Sequence, residues 1–445
     1  MLSTQDNELL TRTGAATPGG AFFRRFWLPV ALSRELPRPD CPPIRLKVMG
    51  EDLIAFRDSN GRVGVVEPRC PHRGANLFYG RNEECGIRCV YHGWKFDVEG
   101  RCLEMPNAPP DSAYKDRVRI VAYPTREYGE MVWAYMGPEQ EPPEVPQLEV
   151  GLVPESHRFV TKKLQQCNWA QSMEGALDTA HFSFLHMPAP KVRANVNSDA
   201  PVNEDRIRWV REDPMPTFTI VDHEVGFVIG AARSADGDDL YWRTTQFMLP
   251  SHSTTPSALP GETYFGYTWV PIDDVVCWIY TYAWNPERPI GEAEREKMVS
   301  GHGALAVVDR NYYPIRNRDN DYLIDRDEQQ SVSFTGVRGV AEQDAMVQES
   351  QGPIVDRTHE NLTATDAGIV RFRKTYLAGV KALNDGVAPA AASKGKSYQL
   401  RSGSWIANKS HSFEEIMRQR FGDPLGRIKG QGTAVPEFKH QGETT

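Results

Sequence analysis

The hydrophobic pattern separates a β-rich N-terminal part of the chain from a mixed C-terminal part. Within residues 27–137, apolar residues alternate with polar ones or form short runs between Gly, Asp and Asn residues, which is typical of short strands. The Asn-Gly pair in "DSNGRVG" predicts a tight hairpin turn, because such turns need positive φ angles. The proline-rich segment 137–154 follows and predicts a crossing between two domains.

Helical and strand-like patterns both occur beyond that segment. "NWAQSMEGALDTAHFSFLH" (168–186) predicts a helix, and the polar last third predicts more helices in "EAEREKMVSGHGAL" and "TDAGIVRFRKTYLAGVKAL". Regularly spaced apolar segments lie between these regions and predict one antiparallel sheet. These segments are "RIRWVR", "TFTIVD", "GFVIGAAR", "LYWRTTQFML", "TYFGYTWVP" and "VVCWIYTYAW".

The fold class is therefore predicted as α+β, with an all-β N-terminal domain and a larger domain whose helices wrap an antiparallel sheet. We expect the smaller domain to cover residues 27–140 and the larger one residues 141–445. Residues 1–26 are expected to pack on the larger domain, and the tail after about residue 429 to be mobile.

Composition excludes several classes of protein. The formal net charge of -8 argues against nucleic acid or an anionic membrane surface as the main partner. No apolar run reaches the ~18 residues that a spanning helix needs, and the first twenty residues show no signal-peptide pattern. The seven cysteines indicate reduced thiols and metal ligands rather than a disulfide framework. We expect a cytoplasmic protein.

The segment "RCPHRGANLFYGRNEECGIRCVYHGW" (69–94) contains the strongest candidate for chemistry. Cys70 and His72 are separated by one residue, and Cys89 and His92 by two. Two thiolates and two imidazoles suit a structural zinc ion, or a [2Fe–2S] cluster with two Cys on one iron and two His on the other. Zinc sites usually separate paired ligands by two to four residues, so the spacing favours the iron–sulfur cluster.

The pattern Cys-x-His, then sixteen residues, then Cys-x-x-His, with the flanks "CPHRGA" and "CVYHGW", resembles the Rieske family. The resemblance implies that Cys70, His72, Cys89 and His92 hold one [2Fe–2S] cluster. Its neutral imidazoles raise the reduction potential above that of all-cysteine plant-type clusters.

A second metal site is predicted in the stretch from Glu174 to His186. On the predicted helix Asp178 shares a face with His181 and with Glu174, so Glu174 is expected to support the ligands. His186 lies five residues after His181 and off that face. Both imidazoles reach one metal only if the helix widens to a π-turn or ends, and Pro188 supplies a stop.

Following a Rieske motif, this pattern resembles the Rieske non-haem iron oxygenases, whose catalytic iron is held by two histidines and one carboxylate. The resemblance implies His181 and His186 as iron ligands. Asp344 is the expected carboxylate, because "EQD…QES.GPI.DRT.E.L" resembles the phthalate-dioxygenase-like branch, as does "NELLTR…TPGGAFFRRFWLPV". The other carboxylates of this stretch remain alternatives: Glu349, Asp356 and Glu360.

The resemblance extends from about residue 7 to about residue 380 and implies a helix-grip catalytic domain. It also implies O2-dependent hydroxylation, above all cis-dihydroxylation, of an aromatic carboxylate such as a phthalate or a substituted benzoate. The electrons would come from a separate NADH-dependent flavin/ferredoxin-type reductase, since the chain has no nucleotide-binding glycine motif. Monohydroxylation or O-demethylation on the same metals is one alternative, and an electron carrier with a binding module is another.

Three side chains carry further expectations. Alternation in "LYWRTTQF" places Arg243 beside aromatic residues, where it could hold a carboxylate, and Arg233 could join it. The family forms rings, usually trimers, in which the cluster of one subunit abuts the iron of the next. Asp178 is expected to bridge His181 and a neighbour's His92 in such a homo-oligomer, a trimer or stacked trimers.

Overall fold

The computed structural model describes residues 1–109, 113–189, 204–256, 263–301 and 303–428. The tail predicted to be mobile after about residue 429 lies outside these residues. Within them, short strands form the N-terminal part, and an eight-stranded antiparallel sheet with helices forms the C-terminal part. The α+β fold class is therefore confirmed.

The N-terminal domain contains three small antiparallel sheets, with strand orders β1-β11-β10, β2-β3-β4-β9 and β5-β6-β7-β8. The predicted Asn-Gly hairpin is confirmed, because Gly61 has a φ of 81° in the turn between β3 and β4. The strands are β1 Trp27–Leu32, β2 Ile44–Val48, β3 Glu51–Arg57, β4 Val63–Val66, β5 Arg81–Glu83, β6 Gly86–Arg88, β7 Lys95–Phe96, β8 Cys102–Glu104, β9 Ala122–Tyr123, β10 Thr125–Tyr128 and β11 Met131–Tyr135.

The C-terminal sheet has the order β12-β18-β17-β16-β15-β14-β13, and β19 also pairs with β15. Strands β14 and β15 are buried along almost their whole length. This explains the long apolar run of β14, whereas β15 buries the polar residues 243–246 at its centre. The strands are β12 Arg158–Gln165, β13 Thr217–His223, β14 Gly226–Ser234, β15 Asp239–Met248, β16 His252–Thr255, β17 Tyr264–Pro271, β18 Cys277–Trp284 and β19 Ser404–Asn408.

Helices cover this sheet. The longest, α9, buries Phe372, Tyr376 and Val380 at the i, i+4, i+8 spacing of one helix face. The helices are α1 Thr4–Thr11, α2 Pro18–Phe23, α3 Glu149–Leu152, α4 Trp169–Leu177, α5 Glu204–Glu212, α6 Glu292–Met298, α7 Arg326–Ser331, α8 Val340–Ser350, α9 Ala367–Asn384 and α10 Phe413–Phe421. In the part of the chain that the structure describes, no helix is both long and apolar enough to cross a membrane.

Three sequence predictions of secondary structure were wrong. The segment "RIRWVR" (206–211) was predicted as a strand but lies in α5, where Ile207 and Val210 are buried one helical turn apart. Six residues are too few to separate this spacing from alternation. The helix predicted over 168–186 ends at Leu177, for the reason given below. The helix predicted from "EAEREKMVSGHGAL" stops at Met298, shortly before two glycines.

Part of the N-terminal domain shares a hydrophobic core with the larger domain, whereas the residues around Cys70 and Cys89 form a separate core. Backbone hydrogen bonds also join the two domains. The N–H groups of Met49 and Gly50 donate to the carbonyls of Pro271 and Ile272, over 2.8 and 2.7 Å. Helices α1 and α2 pack against α9, and α4 packs against α8. The contact between α4 and α8 brings the turn that carries His181 and His186 close to the helix that carries Asp344.

Candidate metal centres

The Cys/His segments form two loops with the same backbone hydrogen bonds. In each loop the cysteine N–H donates to the carbonyl five residues later, and the N–H of the glycine four residues later donates back to the cysteine carbonyl. These glycines, Gly74 and Gly93, have φ values of 74° and 78°, which favour glycine. Cys70 and Cys89 therefore occupy equivalent positions at the start of two matching turns.

The four side chains fit a two-iron cluster. The rings of His72 and His92 lie 4.4 Å apart between centroids, and both Nδ1 atoms are buried without a hydrogen-bond partner among the described residues. Cys70 and Cys89 are buried, and burial raises the pKa of the Cys70 thiol to about 11. A bound metal would therefore be needed to keep this thiol deprotonated at neutral pH.

A single zinc ion fits less well. Among the described residues, one group of three ligand atoms lies within 4.8 Å of one another, and it contains none of these Cys and His residues. A two-iron cluster separates its ligand pairs, whereas one ion needs all of them close together. Trp94 stacks on His72 at 4.6 Å, and its indole N–H donates to Asn107 Oδ1 over 2.7 Å. The ring of His72 is thus held in place.

The second centre forms where α4 ends. Asp178 is the C-cap, with an extended backbone, and its Oδ1 accepts hydrogen bonds from the N–H groups of Ala180 and His181 over 2.7 and 3.3 Å. A short polar side chain that binds the following N–H groups competes with helix continuation. The chain then makes a short 3-10 turn over His181–Ser183. The helix does end before His186, which is one of the two possibilities predicted, but it ends at Leu177, nine residues earlier than expected.

This turn brings both histidines to Asp344 on α8. His181 Nε2 lies 3.1 Å from His186 Nε2, and Asp344 Oδ1 lies 3.3 Å from His186 Nε2 and 3.8 Å from His181 Nε2. These three atoms form the group noted above. Neighbouring ligands on one metal with bonds of ~2.1 Å lie about 3 Å apart, so the arrangement fits one ion held by two imidazoles and one carboxylate.

The other nitrogen of each histidine has its own partner. His186 Nδ1 lies 2.7 Å from Gln343 Oε1, and His181 Nδ1 lies 3.6 Å from Asp178 Oδ2. Burial alone would lower the pKa of His181, but the nearby Asp178 carboxylate outweighs it and raises that pKa. Burial alone would raise the pKa of Asp344, but His186 and His181 hold it below its usual value. The two histidines thus stabilise the ionised form of the Asp344 side chain even before a metal binds.

The alternative third ligands lie elsewhere. Glu349 accepts hydrogen bonds from the Gln166 N–H and the Tyr322 hydroxyl, over 2.9 and 2.5 Å. Asp356 is exposed and bonds to Thr358 and His359. Glu360 forms an ion pair with Arg373. The geometry therefore favours Asp344.

Glu174 does not support the metal ligands as the sequence suggested. Its carboxylate is buried and binds two arginines, Arg357 at 2.9 Å and Arg373 at 2.7 Å. The cause is the pair of buried guanidinium groups, which hold this carboxylate by hydrogen bonds. Glu174 instead ties α4 to α9 and to the segment after α8.

The two predicted arginines have different environments. Arg243 is buried, its guanidinium lies 4.1 Å over the ring of Phe182, and its Nε has no partner among the described residues. Burial lowers its pKa to about 10, so it stays charged at neutral pH. Arg233 instead donates from Nε to the Asp213 carbonyl and from Nη2 to the Thr179 carbonyl. Arg233 therefore fixes the turn before His181, a role that sequence reasoning did not predict.

Sequence reasoning missed three other residues near this centre. Gln343 contacts His186, Phe182 contacts Arg243, and the charge of Arg206 acts on Tyr241 and Arg243. Gln343 stands directly before Asp344, which is a weak signal. Arg206 could have been found only if its segment had been assigned to a helix.

Comparison with known families covers both domains. Residues 26–124 match the Rieske [2Fe-2S] domain, and residues 134–419 match the family described as LigXa C-terminal domain like. The first match includes the four predicted cluster ligands, and the second includes His181, His186 and Asp344. Together they account for most of the described chain.

Curated relatives match nearly end to end. The chain is 35% identical over 434 residues to the 3-chlorobenzoate-3,4-dioxygenase oxygenase subunit of Comamonas testosteroni, covering 94% of this chain and 99% of the relative. It is 38% identical to the phthalate 4,5-dioxygenase oxygenase subunit of Pseudomonas putida, covering 87% and 88%. It is 32% identical to the 5,5'-dehydrodivanillate O-demethylase oxygenase subunit of Sphingobium sp. (strain NBRC 103272 / SYK-6), covering 88% and 83%.

Proposed function

Because the chain belongs to the Rieske non-haem iron oxygenases, as an oxygenase (alpha) subunit, we propose that it hydroxylates an aromatic carboxylate with O2. The observation that carries this proposal is the convergence of His181, His186 and Asp344 within bonding distance of one ion. An electron carrier with a binding module needs no second metal site, so this convergence counts against that alternative.

The residues fall into three roles. The thiolates of Cys70 and Cys89 and the Nδ1 atoms of His72 and His92 would hold the [2Fe–2S] cluster, which delivers one electron at a time. The Nε2 atoms of His181 and His186 and the Asp344 carboxylate would hold the iron, which supplies the place where O2 is activated. Arg243 would hold the substrate.

Arg243 supports the choice of an aromatic acid. A guanidinium can hold a carboxylate through two parallel hydrogen bonds, and a buried cation is costly unless an anion accompanies it. The ring of Phe182 contacts both the Arg243 guanidinium and the His181 ring, at 4.1 and 4.7 Å. An acid bound to Arg243 would therefore present its ring near the iron ligands.

Dihydroxylation is the first candidate reaction, because two relatives above 30% identity are named dioxygenases. Monohydroxylation or O-demethylation is the second candidate, because the O-demethylase subunit matches over a similar share of the chain. The same ligand set would serve both reactions, and the shape of the pocket would decide between them.

The electrons would come from a separate NADH-dependent flavin/ferredoxin-type reductase.

We propose that the chain forms a head-to-tail ring, a trimer or stacked trimers. Tyr91, 53% exposed, lies beside His92 at the cluster, and Phe184, also 53% exposed, lies in the turn between the iron ligands. Exposed aromatic residues at both centres are suited to an interface that brings them together. Asp178 would bridge the two subunits there.

Product analysis tests the proposal. Purified chain, a compatible reductase, NADH and O2 are incubated with benzoates, phthalates and neutral analogues of the same ring. Hydroxylated products are expected from the acids, and a cis-diol would distinguish dihydroxylation from monohydroxylation. The metal content should be about three iron atoms per chain, two in the cluster and one in the second site. An iron content of two with no product would favour the electron carrier.

A further inference from the structure

A buried amide lies behind one of the two iron-binding histidines. Gln343 is 1% exposed and is the residue before Asp344 on α8. Its Oε1 lies 2.7 Å from His186 Nδ1, and its Nε2 lies 2.7 Å from the Val337 carbonyl oxygen. That carbonyl also accepts a hydrogen bond from the Thr335 hydroxyl over 3.2 Å. The amide is thus held at both ends.

These contacts determine the proton on His186. A carbonyl oxygen only accepts hydrogen bonds, so the Gln343 amide must turn its NH2 group to Val337 and its oxygen to His186. An amide oxygen also only accepts, so His186 Nδ1 must carry the proton. His186 Nε2 then presents its lone pair toward His181 and Asp344, at 3.1 and 3.3 Å.

We propose that Gln343 is a positioning residue that fixes the tautomer and ring plane of His186 for iron binding. Helix α8 would then contribute two residues to the iron site. Asp344 would bind the iron, and Gln343 would orient the ligand His186. The proposal rests on the iron site proposed above and adds a residue to it. Partners of this kind usually orient a metal-binding imidazole and change metal affinity by roughly 10- to 100-fold.

The two histidines would be supported unequally. His186 is 7% exposed and has a neutral amide partner at 2.7 Å, whereas His181 is 18% exposed and has a carboxylate at 3.6 Å. A carboxylate partner makes an imidazole more electron-donating than an amide does. Replacing the amide by a carboxylate should therefore retain iron but change its electronic environment.

The test compares variants of the full chain that carries its cluster. Gln343→Met keeps the length of the side chain but cannot accept from Nδ1. Gln348→Met is the matched control, because Gln348 is also buried on α8, one turn after Asp344, and its side-chain oxygen accepts a hydrogen bond from Gln165 over 3.3 Å and not from a histidine. Iron affinity is measured by competition with a ferrous chelator. The EPR signal of the ferrous nitric oxide complex reports the mononuclear site, and visible absorbance reports the cluster.

Gln343→Met should lower iron affinity about 10- to 100-fold with unchanged cluster absorbance, whereas Gln348→Met should stay within about threefold of the unsubstituted chain. Gln343→Glu can still accept from Nδ1 but loses the bond to the Val337 carbonyl, so it should recover part of the affinity and shift the EPR signal. Equal affinities for the two Met variants would overturn the proposal, as would an unshifted signal in Gln343→Glu. If the unsubstituted chain binds iron and turns over, such a result leaves the proposed function intact. If that chain binds no mononuclear iron, both proposals fail.

Discussion

The two proposed metal centres are assembled in opposite ways. All four cluster ligands lie between Cys70 and His92, on two turns with matching hydrogen bonds. The iron ligands come from two places, the turn holding His181 and His186 and, far along the chain, Asp344 on α8. The first site is specified by local sequence, and the second depends on α4 and α8 packing correctly on the sheet. Damage to the larger domain should therefore remove the iron and leave the cluster in place.

The largest expected effect is the loss of turnover in Asp344→Ala. Without its carboxylate the site should fail to hold iron, so turnover and the ferrous nitric oxide EPR signal should disappear while cluster absorbance stays unchanged. Asp356→Ala is the control, because Asp356 is exposed and bonds to His359. If Asp356→Ala lost the iron and Asp344→Ala kept it, the third ligand would have to be reassigned.

The converse variant is Cys89→Ser, which should remove the visible absorbance of the cluster and stop reductase-driven turnover. The iron signal should survive, because its ligands lie in the other domain. Cys85→Ser, outside the loop turns and half-buried, should keep the colour. A colourless unsubstituted chain with one zinc ion would contradict the assignment of the cluster.

Asp178→Asn tests the connection between the two centres. An amide oxygen can still accept from the Ala180 N–H, so the turn should persist. The charge interaction with His181 is lost, and the proposed bond to a neighbour's His92 weakens. We expect both metals and the oligomer to remain and the substrate-dependent oxidation of the reduced cluster by O2 to slow at least about tenfold. Stopped-flow absorbance measures this rate. An unchanged rate would mean that electrons do not pass by Asp178, and full activity of an isolated monomer would exclude the route between subunits.

Arg243→Met concerns substrate binding and neither metal. The KM for an aromatic acid should rise roughly 100-fold, as expected when two hydrogen bonds to a charged group are lost. The KM for a neutral analogue of the same ring should change little. Steady-state kinetics with both compounds checks this, and equal increases would show that Arg243 does not bind a carboxylate.

Glu174→Gln should have the smallest effect on chemistry and a clear effect on stability. Arg357 would lose its buried anionic partner, while Arg373 would keep Glu360. The change should cost about 3 kcal/mol, seen as a lower midpoint of thermal unfolding. The matched control, Glu414→Gln, breaks an exposed pair with Arg418 and should shift the midpoint little. If Glu174→Gln lost iron without losing stability, the prediction from the sequence that Glu174 supports the metal ligands would be correct after all.

The same contrast explains how far the sequence could predict the structure. The cluster loops were predictable because spacing and glycine positions are local. The resemblance named the three candidate iron ligands, which the structure brings together. Their geometry was not predictable, because hydrophobic periodicity does not reveal that Asp178 ends α4 by binding the next N–H groups. The contact of Gln343 with His186 depends on packing between distant segments, so no local sequence pattern predicts it.

A single turnover of the fully reduced chain, without reductase, tests the central claim most directly. The reduced cluster and ferrous iron of such a chain hold the two electrons that one dihydroxylation with O2 requires. Mixed with O2 and an aromatic acid that the full system hydroxylates, the chain should bleach its reduced-cluster spectrum and form close to one hydroxylated product per iron site. A chain with about three irons that reoxidises its cluster and forms no product would contradict the account.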